Sequence, residues 1–433
     1  MNKRAAISES QDLIDFIDKC PTSHYVVENF RQMLINDGFT ELDMRDEWHI
    51  VRNGKYFVTY NGTSIIAFRG NDSHSSLGFR MVASHSDSPT FRVKPYGSSV
   101  ICHSMNRLST ETYGGAILYS WLDRPISLAG RALVATSDPL NPKSILVDFK
   151  KPIGVIPSVA IHFNRAVNEG AAFNKQVDMQ ILTQASSLLG AEDIPSAICS
   201  QIDIDRAALL DYDLYAYDPT PGCIAGFDDS LMICPKQDNL TMAYESYRAF
   251  IDAIDSGNSM MFIVLDNEEV GSGTKQGAAS PLVKNVIERY CYASDLSAQD
   301  VQRTIYNSFL VSADMAHAVH PNHPELSDPA NLPVLNGGPV IKYNASQKYM
   351  TDADGAAVFK TACQRAGVPC QTFVNRSDMA GGSTLGNIMT SQLPLRGVDV
   401  GNPLLGRHSS RETGGSLDPL FLRKALREFY AMK

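Results

Sequence analysis

Residues 260–269 read Met260-Met261-Phe262-Ile263-Val264-Leu265-Asp266-Asn267-Glu268-Glu269. Six apolar residues in a row, with no polar alternation, predict a strand covered on both faces, as in the centre of an α/β sheet. The acidic residues follow at once, so the carboxyl end of that strand delivers carboxylates. In open α/β sheets this edge is where ligands bind.

The same arrangement recurs on both sides of this strand. The run Met81 to Ser84 leads into His85 and Asp87, and Phe309 to Ala313 leads into Asp314 and His317. Leu395 to Val400 is followed, a few residues on, by His408. Helical patterns fall between the strands, at Asn239 to Ala253, Pro281 to Tyr292, Asp352 to Ala366 and Asp418 to Ala431. A further strand is expected at Cys370 to Val374. Strands alternating with helices predict an α/β core. Toward the N-terminus, two helices are expected. A capping box at Ser8 to Gln11 should open the first, and Gly38 should stop the second. Short strands follow at Tyr56 to Tyr60 and Ser64 to Arg69.

Residues 95–234 have a different texture, rich in Pro and Gly, with short strand patterns at Ile126 to Thr136, Ser144 to Phe149 and Asp213 to Tyr217. The expected organisation is a discontinuous α/β catalytic domain, residues 1–94 and 235–433, interrupted by an inserted β-rich domain, residues 95–234.

His, Asp and Glu therefore collect beyond the ends of four expected strands. Alone, each has an ordinary explanation: a His-x-Asp pair in a solvated loop, a Glu-Glu pair at a helix start, an Asp as helix cap. Their joint occurrence favours a metal site, since zinc takes His nitrogen and carboxylate oxygen. Two zinc ions about 3.5–4 Å apart would clamp a hydrolytic transition state from both sides. In His85-Ser86-Asp87 the period-two spacing puts both side chains on one face of an extended segment, so Asp87 can orient His85. Of the adjacent glutamates, one would ligate metal and the other would move the proton of the attacking water. Nucleophile chemistry is weaker: there is no Gly-x-Ser-x-Gly elbow. The turns Gly271-Ser272-Gly273 and Gly381-Gly382-Ser383-Thr384 do not match a P-loop.

Composition narrows the partners. The chain has 433 residues, 44% hydrophobic and 20% charged, which suits a soluble globular protein of two domains. A formal charge of −9 argues against nucleic acid as the main partner. No apolar run approaches the ~18 residues of a membrane span, and Met1 to Ser10 lacks the apolar core of a secretory signal. The 8 cysteines are scattered without a Cys-x-x-Cys pair, as expected for free thiols in a cytoplasmic protein.

Taken together the motifs resemble those of the M18 metallopeptidases, the aspartyl aminopeptidases. The matching stretches are Ser84-His85-Ser86-Asp87-Ser88-Pro89, Ala160-Ile161-His162-Phe163-Asn164-Arg165, Gln237-Asp238-Asn239-Leu240 and Asp266-Asn267-Glu268-Glu269-Val270-Gly271-Ser272. Ser312-Ala313-Asp314-Met315-Ala316-His317, Asn375-Arg376-Ser377-Asp378 and His408-Ser409-Ser410-Arg411-Glu412 follow in family order. The resemblance implies a mixed-sheet α/β aminopeptidase with two zinc ions per subunit, with cobalt or manganese as alternatives. His85 and Asp314 would hold one metal, Glu269 and His408 the other, and Asp238 would bridge them. Glu268 would take a proton from the bridging water and return it to the leaving amine, while Asp87 orients His85. His162, His317, Lys342 and Tyr349 would contact substrate, His162 reaching a neighbouring subunit's active site. The inserted domain would serve dimerisation, and the subunits would assemble as a dodecamer built from dimers.

The implied substrates are peptides with a free N-terminus, Asp or Glu first. An acidic side chain entering an anionic site needs its own cation, and Lys342 is the expected one. The chain departs from the family at Gly381-Gly382-Ser383-Thr384-Leu385-Gly386-Asn387, where relatives usually carry Cys-Gly-Ser-Thr-Ile-Gly-Pro. Gly406 and Arg407 stand where Ser or Ala and then Met usually precede the ligand His. The alternatives are a broader aminopeptidase preferring neutral residues, a catalytically silent scaffold, and an unrelated metal-dependent deacylase. The filled ligand positions speak against the scaffold.

Overall fold

The computed structural model describes residues 3–51, 53–70, 78–101, 105–186 and 193–432. Among these, the centre is a nine-stranded sheet. Its order is Thr40–Glu41, Lys55–Tyr60, Ser64–Arg69, Met260–Leu265, Arg80–His85, Phe309–Ala313, Arg396–Gly401, Val340–Tyr343, Gln371–Val374. The apolar run Met260–Leu265 is a strand buried at every position. It runs parallel to Arg80–His85, with Leu265 opposite His85. Phe309–Ala313 runs parallel to Arg80–His85 and to Arg396–Gly401. These four strands thus end on one edge, and the residues that follow them meet there.

The two faces of the central strand enter two cores. Met260, Phe262 and Val264 pack with Leu13, Phe30, Phe250, Phe359 and Leu422, from helices Lys3–Asp18, Ser23–Asn36, Gln237–Asp252, Ala353–Ala366 and Asp418–Ala431. Met261, Ile263 and Leu265 pack with Val286, Ile305 and Leu385, from Leu282–Ala293, Ala298–Asn307 and Leu385–Met389. Burying an apolar side chain of this size contributes about 1.5–3 kcal/mol, and a strand covered on both faces gains that at every position. Asp352 caps the helix Ala353–Ala366 by accepting from the N–H of Gly355 at 2.8 Å, and Gly367 closes it at φ 64°.

The first helix departs from expectation. It runs Lys3–Asp18, so Ser8 lies inside it rather than capping it. Ala6 and Ser10 are buried on the same side as Leu13, and the Ser10 hydroxyl donates to Ser416 O at 2.7 Å. Packing of that extra turn outweighs the local capping signal.

A six-stranded antiparallel sheet follows directly from the strand ending at His85. Its order is Lys143–Asp148, Ser127–Val134, Leu209–Tyr217, Thr90–Ile101, Met105–Tyr113, Ile181–Gln184. Its own core gathers Phe91, Trp121, Leu128, Val147 and Leu214, closed by Ile194 and Ile198 of helix Ile194–Ile202. A third sheet orders Cys223–Ala225, Leu231–Cys234, Glu412–Gly415, Pro403–Leu405 and Ala316–His317. The turn between Pro403–Leu405 and Glu412–Gly415 holds Arg407 and His408 over the edge where the four strands end.

Candidate metal centre

Each element delivers one or two polar groups to a common point. His85 is the last residue of its strand and fully buried. Its Nδ1 lies 3.0 Å from the main-chain oxygen of Asp87 and 3.3 Å from Asp87 Oδ1, so Nε2 faces the opposite way. Asp87 does more than orient His85. It accepts from the main-chain N–H of Glu268 at 3.2 Å and of Glu269 at 3.1 Å, and from the Tyr113 hydroxyl at 2.7 Å. One carboxylate therefore fixes the turn carrying both glutamates. Tyr113, on the six-stranded sheet, secures that carboxylate in turn and accepts from Asn267 Nδ2 at 2.8 Å.

Asp238 opens the helix Gln237–Asp252 with non-helical φ/ψ. Its N–H donates to Glu412 Oε2 at 2.9 Å and its carbonyl accepts from Ser88 Oγ at 2.8 Å. Asn239 Nδ2 donates to Ala313 O at 2.9 Å, tying the helix start to the strand before Asp314. His408 has φ 71°, a conformation that costs a non-glycine residue about 1–3 kcal/mol. It is held there by its N–H donating to Glu412 Oε1 at 2.8 Å and by Nδ1 lying 3.1 Å from Gly115 O.

The groups converge as two sets. In one, His85 Nε2 lies 3.6 Å from Asp238 Oδ1 and 3.4 Å from Asp314 Oδ1. In the other, His408 Nε2 lies 3.4 Å from Asp238 Oδ2 and 3.4 Å from Glu269 Oε2. Ligands at tetrahedral zinc, with bonds of about 2.0–2.1 Å, stand roughly 3.3–3.4 Å apart, so both sets have the spacing of zinc ligands. Asp238 gives one oxygen to each. Among the described residues, the buried atoms His85 Nε2, Asp238 Oδ1, Glu269 Oε1 and His408 Nε2 have no hydrogen-bond partner. Buried polar atoms without partners are costly unless something else satisfies them, and metal ligation would do so; Asp238 Oδ2 and Asp314 Oδ1, by contrast, also accept from Arg407. Glu268 Oε2 lies 4.0 Å from His85 Nε2, at the rim of the cluster.

The chain's own charges hold these groups unequally. Burial opposes ionisation of Asp314 and Asp238, yet Arg407 keeps both carboxyls well below the usual range, with Lys342 reinforcing it at Asp314 and His408 and His85 at Asp238. Burial pushes Glu268 up to about 7, with Asp314 adding to it and His85 opposing, a value that suits a proton acceptor near neutral pH. Burial first, then Asp238, pushes Glu412 up to about 8 against the pull of its two N–H donors.

A cleft of about 440 Å³ opens over the cluster, lined by Glu268, Asp314, His317, Tyr349, Arg407 and the Gly381 to Thr384 turn among others. His317 is exposed at the cleft, and desolvation by the surrounding protein, then the cations of Arg407 and Lys342, hold its imidazole below its usual range. A second cavity of about 360 Å³ lies behind Asp87 and Asp238, against the six-stranded sheet.

The residues 16–430 match the model of the aminopeptidase I zinc metalloproteases, M18. The chain belongs to the M18 aminopeptidase family. It is 41% identical over 424 residues to "Probable M18 family aminopeptidase 2" of Clostridium acetobutylicum, covering 97% of this chain and 98% of that one. It is 40% identical over 427 residues to the protein of the same name in Pseudomonas aeruginosa, covering 98% of each. Among solved structures it is similar to Ape4 in a complex with Nbr1, at TM-score 0.95 and 32% identity, over 99% of this chain and 86% of that one. The mApe1 dodecamer of S. cerevisiae gives TM-score 0.85 and 28% identity, over 97% and 96%. This M18 protein is thus a metallopeptidase with an α/β fold, a hydrolase acting on peptide bonds. Among the described residues, no helix is long and apolar enough to cross a membrane.

Most residues expected at the site meet in this M18 fold: His85, Asp87, Asp238, Glu268, Glu269, Asp314 and His408 in the cluster, His317 and Tyr349 in the cleft. His162 does not join them; it sits in an exposed turn beyond the strand Lys143–Asp148. Lys342 requires a correction. It is 1% exposed, and its ammonium donates to Asp314 Oδ2 at 2.8 Å, Asp314 O at 2.8 Å and Met315 O at 3.4 Å. All three donors of the ammonium are thus engaged, so Lys342 holds Asp314 in place and presents no free cation to the cleft. Three residues escaped the sequence reading: Glu412, Tyr113 and, as a direct partner of ligands, Arg407. Glu412 left a trace by standing within the His408 to Glu412 motif, and Arg407 by departing from the family beside His408.

Proposed function

We propose that this M18 enzyme releases single residues, preferentially Asp or Glu, from peptides with a free N-terminus, using two divalent cations per subunit. Zinc suits the mixed nitrogen and oxygen donors, and cobalt or manganese would fit the same set. His85, Asp314 and Asp238 would hold one ion, and Glu269, His408 and Asp238 the other. The observation that carries this reading is the pair of three-residue sets sharing Asp238. Such a pair of ions supplies Lewis acidity, polarising the scissile carbonyl and clamping the attacking and departing atoms.

The chain's residues supply the rest. Glu268, beside His85 and facing the cleft, takes the proton of the attacking water and returns it to the leaving amine. Asp87 keeps His85 and the Glu268-Glu269 turn in place. His317 and Tyr349 border the substrate. His162 would act in a neighbouring subunit's site, a reading supported by its exposure and by the dodecamer known for a relative. Exposed Val159, Ile161 and Phe163 in the same turn would be covered by that contact. On this reading residues 95–234 form the inserted dimerisation domain, residues 1–94 and 235–433 the catalytic one, and the protein is a homo-oligomer. The free state of the seven described cysteines suits the cytoplasm.

A second reading, preference for neutral N-terminal residues, draws support from the engagement of Lys342. The test measures hydrolysis of Asp-, Glu- and Leu-p-nitroanilides with and without chelator, alongside metal content. Chelator-sensitive release of Asp and Glu with two ions per chain is expected. Activity untouched by chelation sinks the metal mechanism, and release of Leu alone selects the second reading.

A further inference from the structure

An acidic side chain in the cleft must meet a cation, and Lys342 is unavailable. Among the described residues lining the cleft, Arg407 is the one Lys or Arg. Its guanidinium is anchored by hydrogen bonds from Nε to Asp238 Oδ2, from Nη2 to Asp314 Oδ1 at 2.9 Å and from Nη1 to Met315 O at 3.0 Å. A guanidinium has five N–H groups. Three are engaged, leaving one on each terminal nitrogen, and its side chain keeps 16% of its surface exposed. The anchoring removes much of the rotamer entropy that an arginine otherwise loses on meeting a ligand. Gly381 and Gly382 line the same cleft without side chains, and a side chain at Gly382 would meet nothing within 4 Å.

We propose that Arg407 is the specificity-determining residue of this enzyme, its two remaining N–H groups receiving the side-chain carboxylate of an N-terminal Asp or Glu. This rests on the acidic preference proposed above and assigns it to a residue the family resemblance does not. Two parallel charge-assisted bonds to a planar carboxylate are what arginine offers and the point charge of lysine does not.

The test uses the assembled, metal-loaded enzyme and the variants Arg407→Met and Arg407→Lys. It reads kcat/KM on Asp- and Leu-p-nitroanilide, metal content, and calorimetric binding of free L-aspartate and L-leucine. In Arg407→Met the Asp-to-Leu ratio of kcat/KM should fall roughly 10- to 100-fold, the loss expected for charge-assisted bonds, with two ions retained. L-aspartate binding should weaken while L-leucine binding changes far less. Arg407→Lys should recover part of the ratio, and it carries the test if the methionine variant fails to fold. An unchanged ratio in a fully loaded variant overturns the inference. So do equal losses on both substrates with metal depleted, which would make Arg407 only a positioning residue for Asp238 and Asp314. A wild-type enzyme that leaves Asp substrates uncut removes the acidic preference itself, whereas a ratio preserved in the variants removes only the part given to Arg407.

Discussion

Replacing Glu412 by Gln changes one atom and should loosen a whole metal site. The Glu412 carboxylate is 2% exposed and accepts from two main-chain donors, His408 N–H at 2.8 Å and Asp238 N–H at 2.9 Å. Those two residues belong to the same proposed ligand set, so one side chain sets the distance between them. Glutamine has one acceptor oxygen, and its amide would turn N–H toward the other donor. A hydrogen bond to an ionised group contributes about 1.5–3 kcal/mol, a neutral one about 0.5–1.5 kcal/mol, and an orphaned buried donor costs about 1–3 kcal/mol. With Glu412 ionised, above its value of about 8, the exchange therefore removes about 2–4 kcal/mol, divided between folding and ligand geometry. Loss of an outer-shell partner typically weakens metal binding 10- to 100-fold, about 1.4–2.7 kcal/mol, so the metal site takes up a large part of that cost. Above about pH 8, where the wild-type carboxyl is ionised, the variant should bind zinc in two phases, one near the wild-type affinity and one about 10- to 100-fold weaker, read by competition with a chromogenic chelator. Because Gln is the same size as Glu, no cavity confuses the result. Two ions held with wild-type affinity in Glu412→Gln would refute the claim that this carboxylate spaces the ligands.

Three other outcomes are expected. Glu268→Gln should lower kcat by about 10²–10⁴-fold while keeping both ions, and near-normal turnover in a loaded variant would reassign the proton transfer. Lys342→Met should break the buried ion pair with Asp314 and cost about 3–5 kcal/mol of stability in denaturant unfolding. It should lower activity on Asp and Leu substrates by similar factors, and a loss confined to Asp substrates would return the cation role to Lys342. His24 is buried with neither ring nitrogen partnered among the described residues, and burial, then Arg131, lowers it from 6.5 to about 4. Below pH 6.5 the unfolded chain gains a proton that the folded one refuses, so stability falls with acidity by up to about 1.4 kcal/mol per pH unit until about pH 4. His24→Gln should flatten that limb of a stability-against-pH curve, and an unchanged slope would show that His24 titrates normally in the fold.

The fold was legible wherever a run of side chains had to satisfy one environment. Met260–Leu265 could be read because every position is buried, and Phe309–Ala313 because it lies in the same layer. The helix Asp418–Ala431 shows the opposite pattern, one buried stripe with exposed residues between. The start of the first helix was not legible, because Ala6 is buried by the fold and Ser10 bonds to Ser416, more than 400 residues away. In the site, His85, Glu268, Glu269 and Asp314 were legible from strand ends alone. Asp238 needed the family resemblance, since it follows no strand pattern that exposes it. Glu412 and Tyr113 were hidden because their partners are main-chain atoms or a second carboxylate, and neither leaves a periodicity.

The sequence by itself determined that acidic and imidazole groups follow buried strands, since hydrophobic runs and the polar residues ending them are local facts along the chain. Only the tertiary structure decided which cation is open to the cleft. Lys342 and Arg407 carry the same charge, and either could serve in a linear reading. In the fold, Lys342 is enclosed with its three donors engaged, while Arg407 is anchored at the cleft wall with two donors left. Availability of a charge depends on which atoms surround it, and residues far apart in the chain supply those atoms.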